Sequence, residues 1–183
     1  INTISNDSKE QIINHAFKFH SQGNISAAAK YYQLFINQGF NDHRVFSNYG
    51  VILNNFGKLK EAELSLNKAI EIKPDFAEAY SNLGNIFKDI GKLKEAELSY
   101  RKAIEIKPDF AEAYYNLGNI LKDLGNLQDA ELSYRKAIEI KPDIAEAHSN
   151  LGNILRTLGN LKEAEFFTRK AIELKPDFPE AHS

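Results

Sequence analysis

The sequence contains no cysteine, no methionine and no tryptophan. Without cysteine there are no disulfides, no thiol nucleophile and no thiolate metal site. Charge of one sign is also scarce. The 23 Lys and Arg face 25 Asp and Glu, a formal net charge of −2. A protein of nucleic acid or of membrane surfaces carries a basic footprint, and none is present, so neither is expected as a partner. No apolar stretch approaches the ~20 residues that cross a bilayer. The chain starts at Ile1 without any Met, so its natural N-terminus is expected to have been trimmed, and any signal peptide with it. A cytoplasmic setting is the default expectation.

Catalytic chemistry is missing as well. His15 and His20 point to different sides of a helix, and His148 and His182 fall at a packing position one repeat apart. Neither pair suits a shared metal at ~2.1 Å from each nitrogen. The carboxylates recur as caps or exposed helix residues, with no pocket to raise a pKa. No glycine-rich phosphate loop occurs. The chain reads as non-enzymatic, with no cofactor and no metal.

What is present is repetition. Lys-Pro-Asp recurs at Pro74, Pro108, Pro142 and Pro176, each 34 residues after the last, and segments 77–110 and 111–144 match at 27 of 34 positions. The period divides the chain into a lead-in at 1–8 and repeats at 9–42, 43–76, 77–110, 111–144 and 145–178; PEAHS, 179–183, opens a sixth. Inside each unit apolar residues recur twice at helical spacing. In 111–144 the first set is Tyr114, Leu117, Ile120, Leu121 and Leu124, and the second runs from Leu127 to Ile140. Gly125-Asn126 separates the two helices, and Pro142 ends the second. Asp109 to Glu112 and Asp143 to Glu146 have the spacing of a capping box for the next helix. Gly50, Gly84, Gly118 and Gly152 fall at one place of the first helix, where missing bulk lets helices cross closely. One helical pair cannot bury its own apolar face, so neighbours stack into a solenoid.

The pattern Tyr114, Leu117-Gly118, Leu121, Ala130, Tyr134, Ala137, Pro142 resembles the tetratricopeptide repeat signature over 9–178. The resemblance implies an all-α, right-handed superhelical solenoid of antiparallel helix-turn-helix units, first helices lining a concave groove. Repeat 1 departs from the pattern, with Ala16 for Gly, Phe35 for Ala and Gly39-Phe40 for Lys-Pro. A different turn into repeat 2 is expected.

The sixth place of every first helix is asparagine: Asn14, Asn48, Asn82, Asn116 and Asn150. The ninth place adds Asn85, Asn119 and Asn153, and the two places share a helical stripe with the second and thirteenth. Asparagine is a poor helix former, so its recurrence needs a reason. An amide is both donor and acceptor, which suits gripping the backbone of an extended peptide whatever its side chains. Two other readings stand beside this one: a tolerated solvated residue, or an amide tying one first helix to the next. Lys88, Lys122 and Arg156 recur at the twelfth place, where they either edge the groove for an acidic ligand or are solvated charges. Glu78, Glu112 and Glu146 make the field mixed.

The ladder resembles the tetratricopeptide domains of the O-linked N-acetylglucosamine transferase family, which implies that the sixth-place asparagines hold substrate peptides. The fifth place, Ile13, Ser47, Ser81, Tyr115 and Ser149, lacks the lysine of carboxylate-clamp members. A protein- or peptide-binding scaffold is therefore expected. The alternatives are the recruitment arm of a larger transferase and a self-assembly module. Phe166-Phe167 stands where other repeats have Leu-Ser, and no polar terminal helix follows, so end-to-end association or a fold-back of 179–183 is expected. A helical RNA-binding repeat would need a basic groove.

Overall fold

The computed structural model describes residues 8–176. Among these there are ten α-helices and no strand. They are α1 (Lys9–Ser21), α2 (Ile25–Asn37), α3 (His43–Asn55), α4 (Leu59–Ile72), α5 (Ala77–Asp89), α6 (Leu93–Ile106), α7 (Ala111–Asp123), α8 (Leu127–Ile140), α9 (Ala145–Thr157) and α10 (Leu161–Leu174). The fold is an all-α helical repeat. The expected fold-back at 179–183, and His182 with it, lie outside the described residues.

The break inside each repeat is set by glycine. At the end of α7 the N–H of Gly125 donates to Lys122 O at 2.9 Å and that of Asn126 to Leu121 O at 2.8 Å. Gly125 has φ +79°. This is a Schellman closure, and the left-handed conformation costs a glycine little because it has no Cβ. After Leu127 the apolar spacing resumes on a new axis, and Ala130, Tyr134 and Ala137 are fully buried.

The turns between repeats differ from the capping-box expectation. In α7 and α9 the N-cap residues are Phe110 and Ile144, with no side-chain cap, so neither Asp109 nor Asp143 caps its helix. The place that would carry the cap holds an apolar residue, and Ile144 packs against the core instead. A capping box does form at α1, where Ser8 and Gln11 exchange bonds. Repeat 1 also leaves by its own route. The Gly39 N–H bonds Ile36 O and the Phe40 N–H bonds Phe35 O, with Gly39 at φ +77°. Asp42 then caps α3 by accepting from the Arg44 N–H at 2.9 Å.

Helix crossings follow the small residues. A Cβ on Gly118 would lie 2.7 Å from the Tyr134 ring, and one on Gly50 would lie 2.9 Å from Leu66. The chain divides into two compact units, one up to Ile86 and one from Phe87 onward. In the first, Ile12, Ala28, Tyr32, Phe35 and Val45 form the core. In the second, Tyr100, Leu117, Leu121, Tyr134 and Leu151 do so. The pairs α9–α10, α3–α4, α7–α8 and α1–α2 pack most extensively, α6 against α7 and α8 against α9 less so, and α2 against α3 less again.

Candidate functional site

In the second unit the asparagines meet at one atom. The Tyr134 hydroxyl of α8 donates to Asn119 Oδ1 of α7 at 2.7 Å. Asn150 of α9 donates to the same oxygen through Nδ2 at 3.0 Å. Three consecutive helices thus converge on a single carbonyl, and a sixth-place amide ties its repeat to the one before. Burial pushes the Tyr134 hydroxyl well above the usual phenol range, with Tyr115 and Asp123 adding and the Asn150 hydrogen bond opposing. The hydroxyl therefore stays protonated and remains a donor.

The first unit solves the same problem with other residues. The Asn48 amide of α3 donates to the Tyr32 hydroxyl of α2 at 3.2 Å, and His20 Nδ1 of α1 lies 2.8 Å from that oxygen. A phenol accepting from Asn48 has its own proton for His20 Nδ1. Burial also raises the Tyr32 hydroxyl, against the Asn48 hydrogen bond. His20, at the twelfth place, here does what Asn119 does from the ninth.

The remaining candidates divide by exposure. Asn82, Asn85 and Asn116 are half-buried, and the last two are engaged in further contacts. Asn14 and Asn153 are exposed. Asn119 is half-buried, and its Nδ2 has no hydrogen bond among the described residues. Lys88 is exposed 3.8 Å from Asp89, whereas the exposed Lys122 and Arg156 form no ion pair among the described residues. Glu146 is joined to Lys175 at 3.1 Å. Its own backbone N–H, then the Lys175 side chain, hold that carboxyl below its ordinary value against burial. A field that the second-place glutamates would make acidic is thus partly neutralised.

His148 is a packing residue: it is buried, its Nε2 lies 2.8 Å from Pro142 O, and its ring tilts against Phe167. Phe166 is 61% exposed, but Leu64, Leu98 and Leu132 at the same place of their repeats are 64%, 68% and 64% exposed. Its exposure belongs to the repeat, not to the last helix alone. What distinguishes α10 is Leu161, 65% exposed, where Ile25, Leu59, Leu93 and Leu127 are half-buried. Among the described residues no group of His, Asp and Glu is placed to hold a metal. Nor, among the described residues, is any helix long and apolar enough to cross a membrane.

The role of the tyrosines was not read from the sequence, although a signal for it exists. The ninth place is Asn85, Asn119 or Asn153 where the second helix of the same repeat carries Tyr100, Tyr134 or Thr168. It is Val51 where that residue is Leu66. From repeat 2 onward polar goes with polar and apolar with apolar; in repeat 1 Phe17 packs on the Tyr32 ring and the hydroxyl meets His20 instead.

Comparison with known proteins agrees with this architecture. A profile described as TPR repeat matches residues 52–91 and 84–125, and one described as Tetratricopeptide repeat matches 111–144 and 145–178. Among solved structures, a MamA protein is 26% identical, covers 92% of each chain and superposes with a TM-score of 0.77. MamA 41-end from Desulfovibrio magneticus RS-1 is 22% identical over 94% of this chain and 98% of its own, with a TM-score of 0.80. YrrB, described as a TPR protein with an unusual peptide-binding site, is 23% identical over 93% and 88%, with a TM-score of 0.75. A search of curated protein sequences finds no match. With the profiles covering more than half of its residues and the helices repeating at the same period, the chain belongs to the tetratricopeptide repeat family.

Proposed function

We propose that this protein is a non-catalytic scaffold that binds an extended peptide along its first helices. Within each unit the sixth-place asparagines orient the face and the ninth-place amides meet the ligand. The observation that carries this reading is Asn119. Two donors, from Tyr134 and Asn150, occupy its Oδ1 and so fix the direction of its amide nitrogen. An oriented, half-exposed N–H pair is a ready donor for a peptide carbonyl, and Asn153 offers a second, exposed amide one repeat on. Lys122 and Arg156 lie on the same helices and favour a ligand with carboxylates. The description of YrrB as having a peptide-binding site supports the view that the fold accommodates one.

A peptide array probed with the wild type, Asn153→Ala and Asn119→Ala tests the reading, with helical circular dichroism measured in parallel. Binding lost in Asn153→Ala while the helices survive supports it, because that side chain makes no described hydrogen bond. Full binding in both variants sinks it.

Two broader placements depend on the whole gene product. A recruitment arm of a glycosyltransferase-like enzyme is favoured by the asparagine ladder, and a catalytic domain in the same reading frame decides it. Self-association through the last helix is favoured by the exposure of Leu161 and Leu174. Sedimentation across a hundredfold concentration range should show dimers that Leu161→Glu abolishes; a monomer throughout ends that reading.

A further inference from the structure

We propose that the crevice between α2 and α3 is a second binding site, separate from the asparagine face, for a peptide that inserts an aromatic or leucine side chain flanked by acidic residues. The crevice encloses about 900 Å³ and is lined by Tyr31, Leu34, Tyr49, Leu53 and Phe56. That volume lies within the ~300–1,000 Å³ typical of ligand pockets. Phe56 is 55% exposed at its mouth, an aromatic left in water by the chain itself.

The sequence shows why the crevice opens here. Where repeat 1 has Ala29, the other four repeats have Glu63, Glu97, Glu131 and Glu165. Where it has Leu34, they have Lys68, Lys102, Lys136 and Lys170. In repeat 4 Glu131 is paired to Arg135, whose place holds Gln33 in repeat 1, while Lys136 pairs with Glu139 on its own helix. Arg135 bonds Glu131 at 2.8 Å and Glu163 of the following repeat at 2.7 Å, clasping two second helices together. Repeat 1 has no such clasp; the Tyr49 hydroxyl simply donates to the Gln33 side-chain carbonyl. The exchange of both charged residues for apolar ones is confined to this one repeat.

The charges that remain choose the partner. Lys30 and Lys58 line the crevice and no carboxylate does. Lys30 has no ion pair among the described residues. Lys58 approaches Glu61 at 3.4 Å, but both side chains are more than half exposed, and such pairs are weak and easily exchanged. A smaller crevice of about 370 Å³ shares Gln33, Tyr49 and Leu53 with it and adds Phe46 and Leu64, room for a second apolar side chain, with Glu61 its one carboxylate, the partner of Lys58. Apolar walls with a cationic rim fit an acidic peptide carrying one or two large apolar anchors.

The test uses the fluorescein-labelled peptide Asp-Glu-Phe-Asp-Leu-Glu and its counterpart Lys-Lys-Phe-Lys-Leu-Lys. Anisotropy should show saturable binding of the acidic peptide, at least tenfold tighter than the basic one. Amide resonances of Tyr31, Leu34, Tyr49 and Leu53 should shift. The Ala29→Glu/Leu34→Lys variant, which installs residues the other repeats carry, should lose at least tenfold in affinity with unchanged circular dichroism. Lys30→Glu/Lys58→Glu, altered only at the surface, should reverse the preference. Asn153→Ala should bind this peptide normally, which separates this site from the asparagine face. Absence of saturable binding, equal affinity for both peptides, or full affinity in both double variants overturns the proposal. So would shifts of the same amides with protein concentration alone, since the occupant would then be a second copy.

Discussion

Tyr134, Asn119 and Asn150 test at the residue scale whether the asparagines hold the protein or its ligand. Replacing Asn150 with Ala removes one donor from a partly buried oxygen, and a hydrogen bond of this kind is worth about 1 kcal/mol. Urea unfolding should therefore show Asn150→Ala destabilised by roughly that amount. Tyr134→Phe keeps the ring and removes the other donor. The double variant should lose more than the sum, because either single variant leaves Asn119 Oδ1 one donor and the double leaves it none. Strict additivity would mean that the two bonds do not act together. Gly118→Ala is a second test. Its Cβ would meet the Tyr134 ring at 2.7 Å, and overpacking should cost about 1–3 kcal/mol, partly offset by about 1 kcal/mol of helix propensity. A net gain in stability would show that the helices can move apart freely.

The same three residues show what the sequence made legible. The stripe of asparagines was readable because steps of three and four residues put them on one helical face. Which way they reach was not, because an amide on that stripe can address either a groove or the preceding repeat. Asn150 reaches back to Asn119, and that choice depends on the Tyr134 hydroxyl, which comes from another helix.

Among the elements, α3 carries the clearest pH signal. Burial disfavours the charge on Asp42, but hydrogen bonds from the Arg44 side chain and N–H, with that residue's charge, hold the carboxyl below its ordinary value. A depressed folded-state pKa stabilises the fold above the unfolded aspartate value of about 3.9 and is lost as the pH falls below it. Asp42→Ala should cost about 1 kcal/mol near neutral pH as the cap is lost. Asp42→Asn should keep most of the cap and flatten the acid side of the melting profile. An unchanged profile in Asp42→Asn would mean that other carboxylates set the acid limit. Helix existence was legible because glycine and proline punctuate a strong period. The caps were not. Spacing alone suggested Asp109 and Asp143, whereas Phe110 and Ile144 hold that place, and Ile144 enters its helix packed against the core.

For the whole molecule, the stability of a repeat array is close to a sum of units and the interfaces between them. The α2–α3 interface is less extensive than the α1–α2 and α3–α4 interfaces on either side of it, and it is where the crevice opens. Amides of α1 and α2 should therefore exchange with solvent roughly tenfold faster than those of α7 and α8, by way of partial opening. Hydrogen exchange followed by mass spectrometry reads this directly, and equal protection of the four helices would show that the array opens only as one. The repeat period made the fold class legible from the start. The crevice was hidden because it arises where repeat 1 omits charges, and omissions at Ala29 and Leu34 become visible only when the partners that would have met them are in place.

Because Asn119 receives its partner from the repeat that follows, every unit of this kind carries an acceptor for its successor and a donor for its predecessor. A tandem duplication that inserts one more such unit would bring both halves of the connection with it. The array can then lengthen or shorten by whole copies through recombination, without compensating changes elsewhere. Repeat 2, with Val51 and Leu66 in place of the amide and hydroxyl, is, like repeat 1 with Phe17, a copy that could not be dropped in at any position. Its place in the order is part of what the gene must preserve.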